Sequence, residues 1–128
     1  MTNDNSEAFS VTGRIRSIRH AIDGVSEMLM GQHNARVHVI VTISVVSIGS
    51  FFQISTTEWC CLTLAIISVW VAEAFNTAFE FLCDVASPEF HPLVKKSKDV
   101  AAGAVLISAI GAAIIGLRIF LPYVKTYL

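Results

Sequence analysis

Residues 59–84 read WCCLTLAIISVWVAEAFNTAFEFLCD, a run apolar enough to cross a membrane that still carries polar side chains in its second half. The polar stripe consists of Glu73, Asn76, Glu80 and Asp84, whose spacings of three, four and four place them within roughly 80° of one another on a helix. A carboxylate near the bilayer centre costs on the order of 2.5–3.5 kcal/mol. We therefore expect the stripe to serve a metal ion, a proton path or a polar substrate. The structural alternative is a set of buried polar groups satisfied by neighbouring helices.

The composition indicates a membrane protein built as one domain. Of the 128 residues, 54% are hydrophobic and 15% are charged, whereas roughly 25% are charged in a typical soluble domain. The net charge of −1 creates no basic field, so we expect no nucleic-acid partner. Cys60, Cys61 and Cys83 match no metal-binding or disulfide spacing. The polar, acidic stretch of residues 1–9 lacks the basic start and apolar centre of a secretory signal, so none is expected.

The hydrophobic pattern predicts four helices. Apolar residues recur in steps of four and three from Val11 to Leu29, which indicates an amphipathic surface helix over residues 10–31. We expect it to lie in the membrane interface, the alternative being a soluble helix packed on a core. Apolar runs at residues 37–54, 59–82 and 100–121 are long enough to span a bilayer, with a polar loop over 84–99 and a helix end at Pro122. The predicted fold is an all-α membrane protein, residues 1–128, with an N-terminal interfacial amphipathic helix and three transmembrane helices.

The basic residues predict the orientation of these spans. They cluster before the first span and after the second, whereas the turn between these spans has none: Arg14, Arg16, Arg19, Arg36, Lys95, Lys96 and Lys98. Because cytoplasmic loops carry the excess of Lys and Arg, we expect the N-terminus and the loop over 84–99 in the cytoplasm. The polar stripe then lies at the cytoplasmic end of the second span.

Several polar residues are expected to meet the stripe at that end. They come from the loop and from the segment before the first span: Gln32, His33, Asn34, Arg36, Glu89, His91, Lys98 and Asp99. Carboxylates with an amide suit Mg²⁺, lysines at a helix start suit phosphate, and a carboxylate at membrane depth suits proton removal from a lipid hydroxyl. This combination predicts phosphoryl transfer to a lipid alcohol. An ion or proton pathway uses many of the same residue types and stays open.

The stretch EAFNTAFEFLCDVASPEFHPLVKKSKDVAAGAVL, residues 73–106, resembles the prokaryotic diacylglycerol kinase and undecaprenol kinase family. That family's pattern is E-x-x-N-[ST]-A-x-E-x-x-x-D, then a loop of the type SPEFHPLAKKAKD, then AAGAVL. RSIRHAIDGV and NARVH fit its surface-helix region more weakly. The resemblance implies an integral membrane homotrimer of the bacterial inner membrane, with active sites between subunits, ATP as phosphoryl donor and Mg²⁺ as cofactor.

The same resemblance implies roles for individual residues. Glu73 is expected to be the general base that acts on the lipid hydroxyl, and Glu80 to bind the metal that bridges the ATP phosphates. The remaining ATP-binding residues are expected to be His20, Gln32, Asn76, Asp84, Glu89, His91, Lys98 and Asp99, with Arg14 near the substrate.

Gln32 marks a departure from the family pattern, which often has a second metal-binding Glu there. Gln offers a neutral oxygen that still ligates Mg²⁺, with weaker attraction. Either the site operates on Glu80 and waters, or another group such as His33 compensates, or activity is reduced. We expect an active lipid kinase that prefers undecaprenol to diacylglycerol. The alternatives are a small proton- or cation-conducting membrane protein and a catalytically silent family member.

Overall fold

A computed structural model describes residues 11–127, and it is built of four helices: α1 (Val11–Gly31), α2 (His33–Phe52), α3 (Thr56–Ala86) and α4 (Pro92–Tyr127). No strand occurs within residues 11–127. Helices α2, α3 and α4 are each long and apolar enough to cross a membrane, which confirms the predicted fold class. Residues 1–10 lie outside the described residues. They include residue 10, the predicted start of the surface helix.

Helix α1 carries an apolar face that the rest of the chain leaves uncovered. Ile15, Ile18 and Ile22 are each more than 60% exposed, and Met28 is the one residue of α1 that is buried. An amphipathic helix with an uncovered apolar face and arginines beside it is suited to the membrane interface. The helix ends at Gly31, and Gln32 then turns the chain into α2 in an extended conformation.

The three long helices form an antiparallel bundle in which α4 packs most extensively on α3. We call the end that contains residues 53–55 the turn end, and the end where α2 and α4 begin and α3 finishes the site end. At the turn end, Ile54, Leu62 and Ile119 form the buried core. Gly49 lets the Trp59 ring pack closely on α2, since a Cβ at Gly49 would lie 3.0 Å from the ring.

Residues 53–55 reverse the chain with well-defined hydrogen bonds. Gln53 takes a left-handed conformation (φ 51°), and Ser55 caps α3 in a reciprocal capping box with Glu58. The Glu58 carboxylate accepts hydrogen bonds from the Ser55 amide, the Ser55 hydroxyl and the Tyr123 hydroxyl, the last at 2.8 Å. This capping box makes Glu58 part of the start of α3 rather than a freely solvated side chain.

Two predicted boundaries on α4 are wrong for identifiable reasons. The polar loop over 84–99 shortens to residues 87–91, because α4 begins at Pro92, where the missing N–H costs nothing. The Leu93 amide donates to His91 Nδ1, and Lys95 pairs with Asp99 one turn on. The helix also continues past Pro122 to Tyr127. Membrane helices tolerate an internal proline because nearby groups satisfy the freed backbone.

Candidate active site

The polar stripe of α3 runs from the interior of the bundle to its surface at the site end. The Glu73 residue is fully buried and Asn76 is 5% exposed, whereas Glu80 is half-buried and Asp84 is exposed. Successive members therefore meet increasingly polar surroundings. This gradient suits a site in which one end meets an apolar molecule and the other meets a charged one.

Glu80 is held by two amide side chains. Gln32 Nε2 donates to Glu80 Oε2 at 3.0 Å, and Asn76 Nδ2 donates to Glu80 Oε1 at 3.3 Å. The first bond joins the start of α2 to α3, and the second spans one turn of α3. Both carboxylate oxygens are thus oriented by neutral donors, which fixes the carboxylate without neutralising its charge.

These residues fit a hard divalent cation. Glu80 supplies a carboxylate, Gln32 an amide oxygen, and Asn76 a buried Oδ1 without a hydrogen-bond partner in residues 11–127. Magnesium takes one or two carboxylates and completes its octahedron with water and substrate phosphates. Within the same residues, no cluster of three His, Cys, Asp or Glu side chains forms a closed metal cage. Such a set would supply part of a coordination shell and leave the remaining positions to water and phosphates.

Glu73 lies about two turns deeper than Glu80 and faces His38 of α2. His38 Nε2 is 3.9 Å from Glu73 Oε2, and their side chains are 17% and 1% exposed. Within residues 11–127 neither this nitrogen nor either Glu73 carboxylate oxygen has a hydrogen-bond partner, and the same holds for Thr77 Oγ1. Buried polar groups in native proteins are normally paired. Such a concentration of unpaired groups indicates a binding site.

Lys98 and Asp84 form the outer rim of the site. Lys98 Nζ donates to Asp84 Oδ1 at 2.5 Å, which joins the start of α4 to the end of the polar stripe. Asp99 instead pairs with Lys95 at 2.6 Å on the exposed side of α4. The structure therefore brings Lys98 to the stripe and engages Asp99 elsewhere.

The other predicted site residues occupy exposed positions. Glu89 and His91 lie in the connection between α3 and α4, where His91 Nδ1 is used to cap α4. Arg14 and His20 lie on the exposed surface of α1. The buried and half-buried members of the predicted set that lie at the stripe are Gln32, Glu73, Asn76, Glu80 and Lys98.

Sequence reasoning missed His38 and Thr77 as members of the site. Thr77 follows Glu73 by four residues and so lies on the same face of α3. His38 is an ionisable residue inside a predicted span, which is by itself a signal for function. Its position near the start of α2, opposite the end of α3, places it beside the stripe in an antiparallel pair.

Two apolar cavities flank the stripe. A cavity of about 660 Å³ lies among α2, α3 and α4, and it extends from His38 and Trp70 at the site end to Phe120 and Val124 at the turn end. A second, of about 360 Å³, lies between α1 and α3 beside Thr77. Both volumes suit hydrocarbon chains rather than polar ligands, because their walls are almost wholly apolar.

Comparison with known proteins places these features in a family. Residues 19–120 match the model for the prokaryotic diacylglycerol kinase family. The chain is 37% identical to the undecaprenol kinase of Bacillus subtilis over 107 residues, which cover 84% of this chain and 87% of that protein. It is 36% identical to a diacylglycerol kinase of Synechocystis (83% and 61% covered) and 30% identical to one of Helicobacter pylori (74% of each).

Proposed function

The chain belongs to the prokaryotic diacylglycerol kinase family, and from this premise we propose that it transfers the γ-phosphate of ATP to the hydroxyl of a membrane lipid. The enzyme is a phosphotransferase with an alcohol acceptor, embedded in a membrane. The observation that carries the proposal is the combination of an amide-held Glu80 with a fully buried Glu73, two stripe positions deeper. Glu80 suits metal and phosphate, and Glu73 suits the hydroxyl of a lipid.

Glu73 is the general base in this proposal. Its Oε2 accepts the proton of the lipid hydroxyl as the hydroxyl oxygen attacks the γ-phosphorus in line. Burial keeps competing water away from the carboxylate. The bond between the γ-phosphorus and the bridging oxygen breaks, ADP leaves, and a lipid phosphate monoester forms.

Glu80, with Gln32 Oε1, holds the divalent metal, for which we propose Mg²⁺. A bound Mg²⁺ neutralises charge on the ATP phosphates and aligns them. Asn76 fixes the Glu80 carboxylate, and Lys98 with Asp84 contacts the nucleotide at the rim. Glu89, His91, Asp99 and His20 complete the nucleotide site, and Arg14 contacts the lipid acceptor.

The preferred acceptor in this proposal is undecaprenol, with diacylglycerol second. Two observations support the order: the similarity to an undecaprenol kinase, and the elongated apolar cavity that begins at His38 and follows the bundle axis. A single long isoprenoid chain suits one continuous groove better than a pair of acyl chains does.

We further propose a homotrimer in the bacterial inner membrane, with the N-terminus cytoplasmic and with active sites between subunits. Val105 and Ile119 are the buried residues of α4 within the described chain, so most of the surface of this helix is available to lipid or to other subunits. Small residues on α4, among them Ala104, Ser108 and Ala112, allow close helix packing. Mass measurement of the detergent-solubilised protein tests the trimer.

The function is tested by measuring transfer of labelled γ-phosphate from ATP to undecaprenol and to diacylglycerol in mixed micelles. We expect labelled lipid phosphate with undecaprenol at the higher kcat/KM, and none with the Glu73→Gln variant. Absence of transfer to any prenol or diacylglycerol would refute the kinase assignment. Metal-dependent ion flux in ATP-free proteoliposomes would then favour a conducting protein.

A further inference from the structure

His38 is the one polar side chain of α2 that faces Glu73 inside the bundle among the residues that the structure describes. The Nε2–Oε2 distance of 3.9 Å is longer than the 2.7–3.2 Å of an N–H···O hydrogen bond. The two atoms are nevertheless close enough to share one hydrogen-bond partner. A single oxygen atom at about 2.8 Å from each of the two atoms fits this spacing.

The imidazole of His38 is held in this orientation by its neighbours. The Trp70 ring meets it edge to face, with ring centroids 6.1 Å apart. The Trp70 indole nitrogen in turn donates to Thr42 Oγ1 at 3.1 Å, which ties α3 to α2 one turn beyond His38. His38 and Trp70 also form the end of the long apolar cavity. Glu73 does not line that cavity, but its Oε2 lies 3.9 Å from His38 Nε2, so a hydroxyl that reaches His38 from the cavity comes close to Glu73.

We propose that His38 and Glu73 hold the acceptor hydroxyl between them. His38 Nε2–H donates a hydrogen bond to the hydroxyl oxygen, and Glu73 Oε2 accepts the hydroxyl proton. This inference rests on the proposed lipid kinase function and adds a second protein contact to the acceptor. It also gives the unpaired Nε2 and Oε2 atoms a common partner.

The step balances without any further reagent. The hydroxyl O–H bond breaks and its proton passes to Glu73, while the same oxygen forms a bond to the γ-phosphorus. The bond from that phosphorus to the bridging oxygen breaks and its electron pair leaves with ADP. His38 keeps its Nε2 proton throughout, so it orients the oxygen without exchanging charge.

Kinetics of two substitutions at one position test this contact. His38→Gln places an amide N–H donor near the Nε2 position, whereas His38→Leu removes the donor and keeps the bulk. We expect His38→Leu to lower kcat/KM for the lipid by about 10- to 100-fold, because one hydrogen bond to a buried acceptor is lost. His38→Gln should stay within about threefold of the parent, and the KM for ATP should be unchanged in both.

Tyr123→Phe serves as the control, since it removes a partly buried hydrogen bond at the opposite end of the bundle. It should leave both KM values unchanged. If the two His38 variants lose activity equally, His38 acts as a counter-charge or a packing residue, and the proposal is overturned. An unchanged His38→Leu variant overturns it as well.

Measurement of ligand binding without ATP tests the hydroxyl contact separately from the kinase assignment. Affinity is measured by competition for undecaprenol and for the hydrocarbon that lacks its hydroxyl, with the parent protein and with His38→Leu, in the absence of ATP. We expect the parent to favour the alcohol and the variant to bind the two alike, with equal hydrocarbon affinity in both proteins. If the parent binds both ligands equally, the hydroxyl contact is refuted. If the parent binds the alcohol more tightly than the hydrocarbon and yet transfers no phosphate, the kinase function is refuted and the hydroxyl contact is not.

Discussion

The two ends of the helix bundle treat carboxylates beside the apolar core in opposite ways. At the turn end, Glu58 accepts three hydrogen bonds, and Tyr123 donates one of them. At the site end, Glu73 and His38 lie 3.9 Å apart with no hydrogen-bond partner for the facing atoms within residues 11–127. Both ends contain a carboxylate close to an apolar core. A carboxylate whose hydrogen bonds are formed holds helices together, and a carboxylate without hydrogen-bond partners is available to bind a ligand.

Exchange of each carboxylate for its amide gives the sharpest contrast between the ends. Glu73→Gln should lower turnover by about 10²- to 10⁴-fold, because the general base is lost, and should leave the thermal unfolding midpoint unchanged or higher. Glu58→Gln should lower that midpoint and keep kcat. Turnover and unfolding are measured on the same preparations. Retained activity in Glu73→Gln would remove its role as base.

Within the site end, Glu80 and Glu73 should respond differently to metal. Glu80→Gln is expected to raise the Mg²⁺ concentration for half-maximal activity by roughly 10- to 100-fold, since loss of supporting partners alone has effects of this size. Asp84→Asn removes an equal charge one turn further on and should chiefly raise the KM for ATP. A Mg²⁺ titration of both variants separates them. An unchanged Mg²⁺ dependence in Glu80→Gln would contradict metal binding there.

Gln32→Glu tests what the amide contributes to the site. A second carboxylate beside Glu80 should lower the Mg²⁺ requirement by about tenfold or more, through added Coulombic attraction. Without metal, the hydrogen bond to Glu80 becomes a repulsion, so the unfolding midpoint should fall and recover on addition of Mn²⁺. Mn²⁺ binding without nucleotide is followed by electron paramagnetic resonance. If the parent lacks activity and Gln32→Glu gains it, the natural chain is a silent member of the family.

The smallest expected effect lies at the turn end. Tyr123→Phe removes one hydrogen bond to Glu58 and should cost about 0.5–1.5 kcal/mol in the free energy of unfolding. Its turnover should equal that of the parent. Unfolding in a mixed-micelle denaturant series measures the loss, and a drop in kcat without a loss of stability would show that the two ends are coupled.

The sequence predicted the helices better than their ends. Hydrophobic runs identified three spanning helices, because length and apolar content alone decide whether a segment can cross a membrane. The prolines led to wrong predictions of helix boundaries, because Pro92 starts a helix and Pro122 lies within one. Whether a helix begins, continues or ends at a proline depends on which backbone carbonyls and amides are satisfied by neighbouring groups. A linear sequence pattern does not contain that information.

The site was predicted from the stripe and only partly from the residues around it. Periodicity placed Glu73, Asn76 and Glu80 on one face of a helix, and the structure shows their order of burial. The bond from Gln32 to Glu80 and the approach of His38 to Glu73 join helices that are separated in sequence. Such pairs depend on the depth and rotation of α2 against α3, which packing sets.

The short connection at residues 53–55 constrains how the chain enters its membrane. Three residues reach at most about 10 Å when extended, against a hydrocarbon thickness of about 30 Å. The start of α3 therefore lies on the same side of the bilayer as the end of α2, in either orientation. Insertion of the two helices as a hairpin satisfies this constraint, and it brings the start of α2, with Gln32 and His38, beside the end of α3.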